Sequence, residues 1–289
     1  MASRAQIEDR TFAVLRWVVI AALAIVTIFP FYYMLLLSVK PIDQLLLDPG
    51  KLWVGTSEFT LDTYRTVLKS VDDGGQGFLR MLGNSALVAL GSMLLTLLVS
   101  VPGAYAITRL RFFGGQKVSA LFLAVYLFPS TLLAVPLFVI FARIGLQSSL
   151  VGLAIVYIAQ TVPVSIYMLK NYFVTIPKSI EEAAALDGAS RLQTVRRVVL
   201  PLAAPSLMAT GLYVFMIAWN EFLFALLFLA ADPDKWTVSL GLQQLANGIE
   251  VPKTVLMAGS VVLTIPVVLL FYAAERLLTE GLTSGADKS

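Results

Sequence analysis

Few residues of this 289-residue chain are equipped for chemistry, and they cluster in two places. One is Trp219-Asn220-Glu221-Phe222, in which Glu221 is the sole ionisable residue well inside an apolar stretch. A carboxylate there is costly and marks a functional group by default. With Asn220 it could hydrogen-bond a polar solute in a water-filled pathway, while Trp219 or Phe222 offers a ring face. The equal alternative is a packing role, with the carboxylate bonded to backbone or to a partner chain. The other place is a polar insert, Ser179 to Pro201, lying between two apolar stretches. The chain has no cysteine and no histidine, which excludes disulfides, thiolate metal sites, cysteine nucleophiles and imidazole relays. No paired carboxylates or metal ligands converge, and Gly114-Gly115-Gln116-Lys117 lacks the spacing and the hydroxyl residue of a phosphate-binding P-loop. We therefore expect no catalytic residue, no metal and no cofactor in this chain.

The elements that position these residues follow from composition. The chain is 58% hydrophobic and 13% charged, with a mean hydropathy of +0.84; a soluble domain has about a quarter of its residues charged. Apolar runs of about 20 residues, the length that crosses a bilayer as helix, recur throughout. The expected fold is all-α and polytopic, a single transmembrane domain over 1–289, with six spans near 14–38, 84–107, 118–142, 150–170, 206–230 and 256–277. Prolines 30, 129, 136, 163 and 266 are expected to kink them. If the N-terminus is cytoplasmic, the inside segments carry thirteen basic residues and the longer outside segments eight, which puts both termini inside. The loop 39–83 is then external, with a short helix near 60–68, and the loop 171–205 is cytoplasmic. Trp17, Tyr32, Tyr33 and Trp236 suit anchors at the membrane interface.

The insert reads as two short capped helices where a turn would suffice. Ser179 with Glu182 has capping-box spacing, Gly188 suits a left-handed close, Ser190 with Gln193 repeats the box, and Pro201 is expected to stop the second helix. Ile180, Ala183, Ala184 and Asp187 share one face, mostly small, that a partner backbone could approach. On the second helix Leu192, Val195 and Val199 form an apolar stripe apart from Arg191, Arg196 and Arg197. A nucleic-acid reading fails because both helices are short and tethered to the bilayer; the bland alternative rests the arginines on anionic membrane lipid.

The run E-A-A-A-L-D-G-A over 182–189, followed at the right distance by Val198, Leu200 and Pro201, resembles the EAA loop of permease subunits of ABC importers. Phe59–Tyr64 (F-T-L-D-T-Y), Ala104–Phe112 (A-Y-A-I-T-R-L-R-F), Trp219–Phe222 and Gly281–Ala286 (G-L-T-S-G-A) are similar to the carbohydrate-type branch, especially the smaller maltose-transporter permease. The resemblance implies that Glu182, Ala183, Ala184, Asp187, Gly188, Leu200 and Pro201 couple to a cytoplasmic ATPase. The implied partners are a dimer of ATPase subunits that binds ATP and Mg, a second homologous permease, and an extracytoplasmic solute-binding protein delivering a sugar. The tail 281–289 resembles a segment that reaches into the ATPase dimer, departing from it at Asp287. The implied location is a bacterial or archaeal plasma (inner) membrane. The alternative is a secondary transporter or channel driven by ion gradients, for which one embedded glutamate and no inverted repeat are poor equipment.

Overall fold

The computed structural model describes the backbone of residues 4–55, 58–110, 112–248 and 251–286, and their side chains except at 4–11, 116 and 276–286. Among the described residues there are helices and turns but no strand. The helices are α1 (Arg4–Ser38), α2 (Ile42–Leu47), α3 (Asp62–Leu68), α4 (Phe78–Arg109), α5 (Gly115–Leu127), α6 (Ala134–Arg143) and α7 (Leu150–Thr175). There follow α8 (Lys178–Leu186), α9 (Arg191–Thr194), α10 (Leu200–Leu202), α11 (Ala204–Asn220), α12 (Leu223–Leu229), α13 (Val238–Asn247) and α14 (Lys253–Ala286). Among the described residues four helices are long and apolar enough to cross a membrane, and there are up to six such spans when each of two bent pairs counts as one.

The chain divides into two compact units. The first holds Met1–Gly77 and Leu245–Val262. There Lys40 is buried and its ammonium donates to the carbonyls of Asp48 (3.0 Å) and Lys51 (3.4 Å), closing the loop over α2. Lys51 in turn grips both carboxylate oxygens of Glu58 at 2.7 Å.

The second unit, Phe78–Gln244 with Leu263–Ser289, is built on α4 and α7, which pack together most extensively, with α11 against both. The reason lies in α4, which buries Ser85, Ala89, Ser92, Thr96, Ser100 and Ala104 at near-fourfold spacing. Small side chains on one face let helix backbones approach closely where lipid supplies no hydrophobic drive. Thr96 and Thr161 of α7 share a hydrogen bond of 3.0 Å across that seam.

Three expectations need correction. The third span, expected over 118–142, is a bent pair meeting at 82°. Phe128 before Pro129 is extended, as the proline ring demands, and the chain restarts through a 3₁₀ turn (Ser130–Leu133) into α6, with Pro136 in its first turn. The fifth span, expected over 206–230, breaks at Glu221 and Phe222 between α11 and α12. The second insert helix does not stop at Pro201. It runs on through a π turn (Val195–Val199), where the Leu200 N–H reaches back to Val195, and ends at Leu202, 77° from α11. Pro201 has no N–H for an α-ladder and its ring crowds the preceding turn, so a widened turn before it lets the helix continue.

Candidate functional site

The insert is built from the end of α7 outward. Ile176 and Pro177 are extended, and α8 starts at Lys178 with Pro177 at its cap. The expected box between Ser179 and Glu182 is therefore not formed. Pro177 itself occupies the cap position with extended backbone, so the helix begins at Lys178 and Ser179 lies inside the first turn instead of at the cap. The helix closes as expected: Gly188 has φ +83°, its N–H donates to Ala185 (3.1 Å), and the Ala189 N–H donates to Ala184 (3.0 Å). This pair of bonds is the Schellman arrangement. The second box does form, with Ser190 Oγ accepting from the Gln193 N–H and Gln193 Oε1 accepting from the Ser190 N–H.

The two helices present different chemistry to solvent. Glu182, Ala183, Asp187, Gly188 and Pro201 are exposed, while Ala184 and Leu200 are half-buried. Leu186 and Leu192 stand 89% and 77% exposed, a large apolar price on a bare surface. Leu192 is thus apart from Val199, which is fully buried, so the expected stripe on the second helix is divided. Val199 joins Ala104 of α4, Ile166, Leu169, Phe173 and Ile176 around α7, and Ala203 in one apolar cluster. That cluster seats the second insert helix against α4 and α7. The arginines 191, 196 and 197 are exposed.

The first insert helix is held differently. Glu181, one residue before Glu182, turns inward: one carboxylate oxygen accepts from Arg109 Nε at 2.5 Å and the other from the Tyr105 hydroxyl at 2.9 Å. Sequence reasoning missed this contact. The only signal was that Tyr105 and Arg109 lie four apart in the A-Y-A-I-T-R-L-R-F run, on one helix face.

The second group of expected residues is dispersed by the helix break. Trp219 is buried, stacked on Phe215 with centroids 5.2 Å apart, and its indole N–H donates to the Leu263 carbonyl at 3.2 Å. Asn220 is exposed, with Nδ2 donating to Met216 of its own helix at 2.9 Å. Glu221 accepts from the backbone N–H groups of Phe224 (2.9 Å) and Ala225 (3.1 Å) and from the Tyr157 hydroxyl (2.6 Å). Phe222 is half-buried at the break. Glu221 thus fastens the start of α12 to α7, and its own carbonyl accepts from Ser239 Oγ at 2.6 Å.

A cavity of about 680 Å³ opens elsewhere, between the α5–α6 bend, α7 and α11. Tyr126, Phe128, Ser130, Gln160, Thr161 and Tyr213 are among its walls, and the four residues 219–222 are not. Gln160 Nε2 is buried there without a hydrogen-bond partner. These wall residues carry no local motif, so nothing in the sequence marks them before the helices are packed.

Known proteins are similar to this chain in sequence and in fold. The inner membrane ABC transporter permease protein YcjP of Escherichia coli K12 is 37% identical over 270 residues, covering 93% of this chain and 94% of its own. The trehalose/maltose transport system permease protein MalG of Thermococcus litoralis is also 37% identical, covering 92% and 93%. In fold, the chain matches one from a crystal structure of a bacterial ABC transporter that imports the acidic polysaccharide alginate, with a TM-score of 0.79, 23% identity, and coverage of 96% and 98%. Residues 97–283 match the model of one family. With its multi-pass helices and exposed two-helix insert, the chain belongs to that family, the inner membrane components of binding-protein-dependent transport systems, and is a permease subunit of an ABC importer.

Proposed function

We propose that this permease carries a sugar, forming half of its pathway beside a second homologous permease. The observation that carries the proposal is the α8–α9 insert, with Glu182 exposed next to bare Leu186 and Leu192. Such a surface fits burial in a cleft of a cytoplasmic ATPase, with Glu182 meeting a basic residue and the small residues Ala183, Ala184 and Gly188 admitting close approach. Asp187 closes α8 beside them, while Leu200 and Pro201 set the path of the second helix into α11. ATP and Mg are bound by the ATPase dimer, and both termini lie in the cytoplasm with the insert. The sugar class is supported by the relatives from Thermococcus litoralis and Mycobacterium tuberculosis, whose names specify trehalose or maltose transport. An extracytoplasmic binding protein delivers the cargo.

Within the spans, the solute contact is assigned to the 680 Å³ cavity, a size typical of small-molecule sites. Tyr126, Phe128 and Tyr213 are wall residues that carry rings, and Ser130, Gln160 and Thr161 are wall residues that carry polar groups suited to a hydroxyl. Asn220 and Phe222 lie at a helix break that would let this path open, while Trp219 and Glu221 hold the break in place. The test is uptake into proteoliposomes containing the assembled complex, with trehalose, maltose, diacetylchitobiose and glycerol-3-phosphate as labelled probes. ATP-dependent accumulation of a disaccharide, insensitive to collapse of ion gradients and abolished by Glu182→Lys, is expected. Uptake that follows an ion gradient without ATP would overturn the proposal.

A further inference from the structure

The A-Y-A-I-T-R-L-R-F run has a physical use beyond resemblance. Tyr105 and Arg109 sit one turn apart at the end of α4, and both bond the carboxylate of Glu181 on α8. Arg109 makes a further bond, from Nη2 to the Ile176 carbonyl at 2.7 Å, at the end of α7. The side chains of the ion pair are only 8% and 13% exposed. Neighbouring residues on a helix point about 100° apart, so Glu181 can face the protein while Glu182 faces away.

We propose that Tyr105, Arg109 and Glu181 form a clamp that makes α8 move with α4 as one body, delivering displacement of the insert to the α4–α7 pair. The covalent path alone would not do this. It runs through Ile176 and Pro177, two extended residues about which a short helix pivots. The clamp braces that pivot from a third side, because Arg109 holds the end of α7 and the start of α8 together against α4. Beneath it Tyr105 meets Phe173 edge-on at 6.5 Å, and Ala104, Phe173 and Ile176 fill the apolar cluster. A salt bridge serving only solubility would lie exposed and monodentate; this one is buried and shared by three elements. These are positioning residues, acting on the solute through the helices they join. The proposal rests on the importer reading above.

The chain has no cysteine, so spin labels on Ser179→Cys and Leu98→Cys, both exposed positions, are its only labels. Their separation is measured in the complete reconstituted complex, nucleotide-free and trapped with ATP and vanadate. With the native clamp the distance stays constant to about 2 Å between states, and in Arg109→Ala or Glu181→Ala it changes by about 5 Å, the scale of a one-turn shift of one element past another. ATP hydrolysis persists in both variants, since Glu182 is untouched. Arg109→Lys keeps the charge and one bond, and is expected to assemble and to show an intermediate change. A distance that varies with the clamp intact, or stays fixed in both alanine variants, would overturn the proposal. Failure of even Arg109→Lys to assemble would also overturn it, because the pair would then be needed for folding. A wild-type complex that hydrolyses no ATP and takes up no sugar would instead remove the importer reading, whatever the labels show.

Discussion

Replacing Glu221 by alanine separates its structural role from a solute-binding one. Its carboxylate accepts three donors, the N–H groups of Phe224 and Ala225 and the hydroxyl of Tyr157, which is fully buried. Losing a helix-capping acceptor costs about 1 kcal/mol. Leaving the buried tyrosine hydroxyl unpaired adds about 1–3 kcal/mol. The total is about 2–4 kcal/mol, or a drop in Tm of about 4–8 °C for a chain of this size. The assay is thermal unfolding of the detergent-purified complex at one scan rate, with Tyr157→Phe and the double variant alongside. Because phenylalanine leaves no orphan hydroxyl, the double variant should melt no lower than Glu221→Ala alone. Glu221→Gln keeps one acceptor oxygen and should lose about 2 °C. Equal and additive losses, or a Tm unchanged in Glu221→Ala, would refute the fastening role. A changed uptake KM in Glu221→Gln at unchanged Tm would return the residue to the pathway.

Other outcomes follow from single positions. Gly188→Ala puts a Cβ at φ +83°, where space is open and only the backbone objects, at about 1–2 kcal/mol; ATP-coupled uptake should fall, and Gly188→Asn should fall less. A Cβ on Gly152 would stand 2.5 Å from the Leu146 carbonyl oxygen, a backbone atom, so Gly152→Ala should lower Tm by several degrees while Ser149 still caps α7. The hydrogen bond from Lys51, then that from the Gly55 N–H, holds the Glu58 carboxyl below its ordinary value. Its stabilisation of the loop around Lys51 and Gly55 is therefore present above the unfolded carboxyl's pKa and is lost as pH falls through the lowered folded value. Carboxyl NMR of a carbon-labelled sample should show this low midpoint returning to the ordinary glutamate range in Lys51→Ala.

The readable parts of this protein are those fixed by local chemistry. Hydropathy marks the spans because a lipid-crossing helix must satisfy its own backbone with apolar side chains outward. Gly188 and the Ser190–Gln193 box were legible because a left-handed close and a cap depend on residues within one turn. The Ser179–Glu182 box was misread because Pro177 offered an earlier start, and two local signals of similar strength compete without any record of which wins. Pro201 was misread as a stop because local reasoning does not foresee the π turn that carries the helix past it.

What the chain by itself determined was an all-helical membrane protein with a two-helix insert between two of its spans. The tertiary structure decided the partners of its few charged groups. Glu181 and Arg109 are 72 residues apart, and Tyr157 and Glu221 are 64 apart. A carboxylate in a low-dielectric setting takes whichever donors packing brings within reach, and the close approach of α4 to α7 along a seam of small residues sets that choice. The same packing leaves Gln160 facing a cavity while Glu221, the residue the sequence singled out, is turned to holding a helix break.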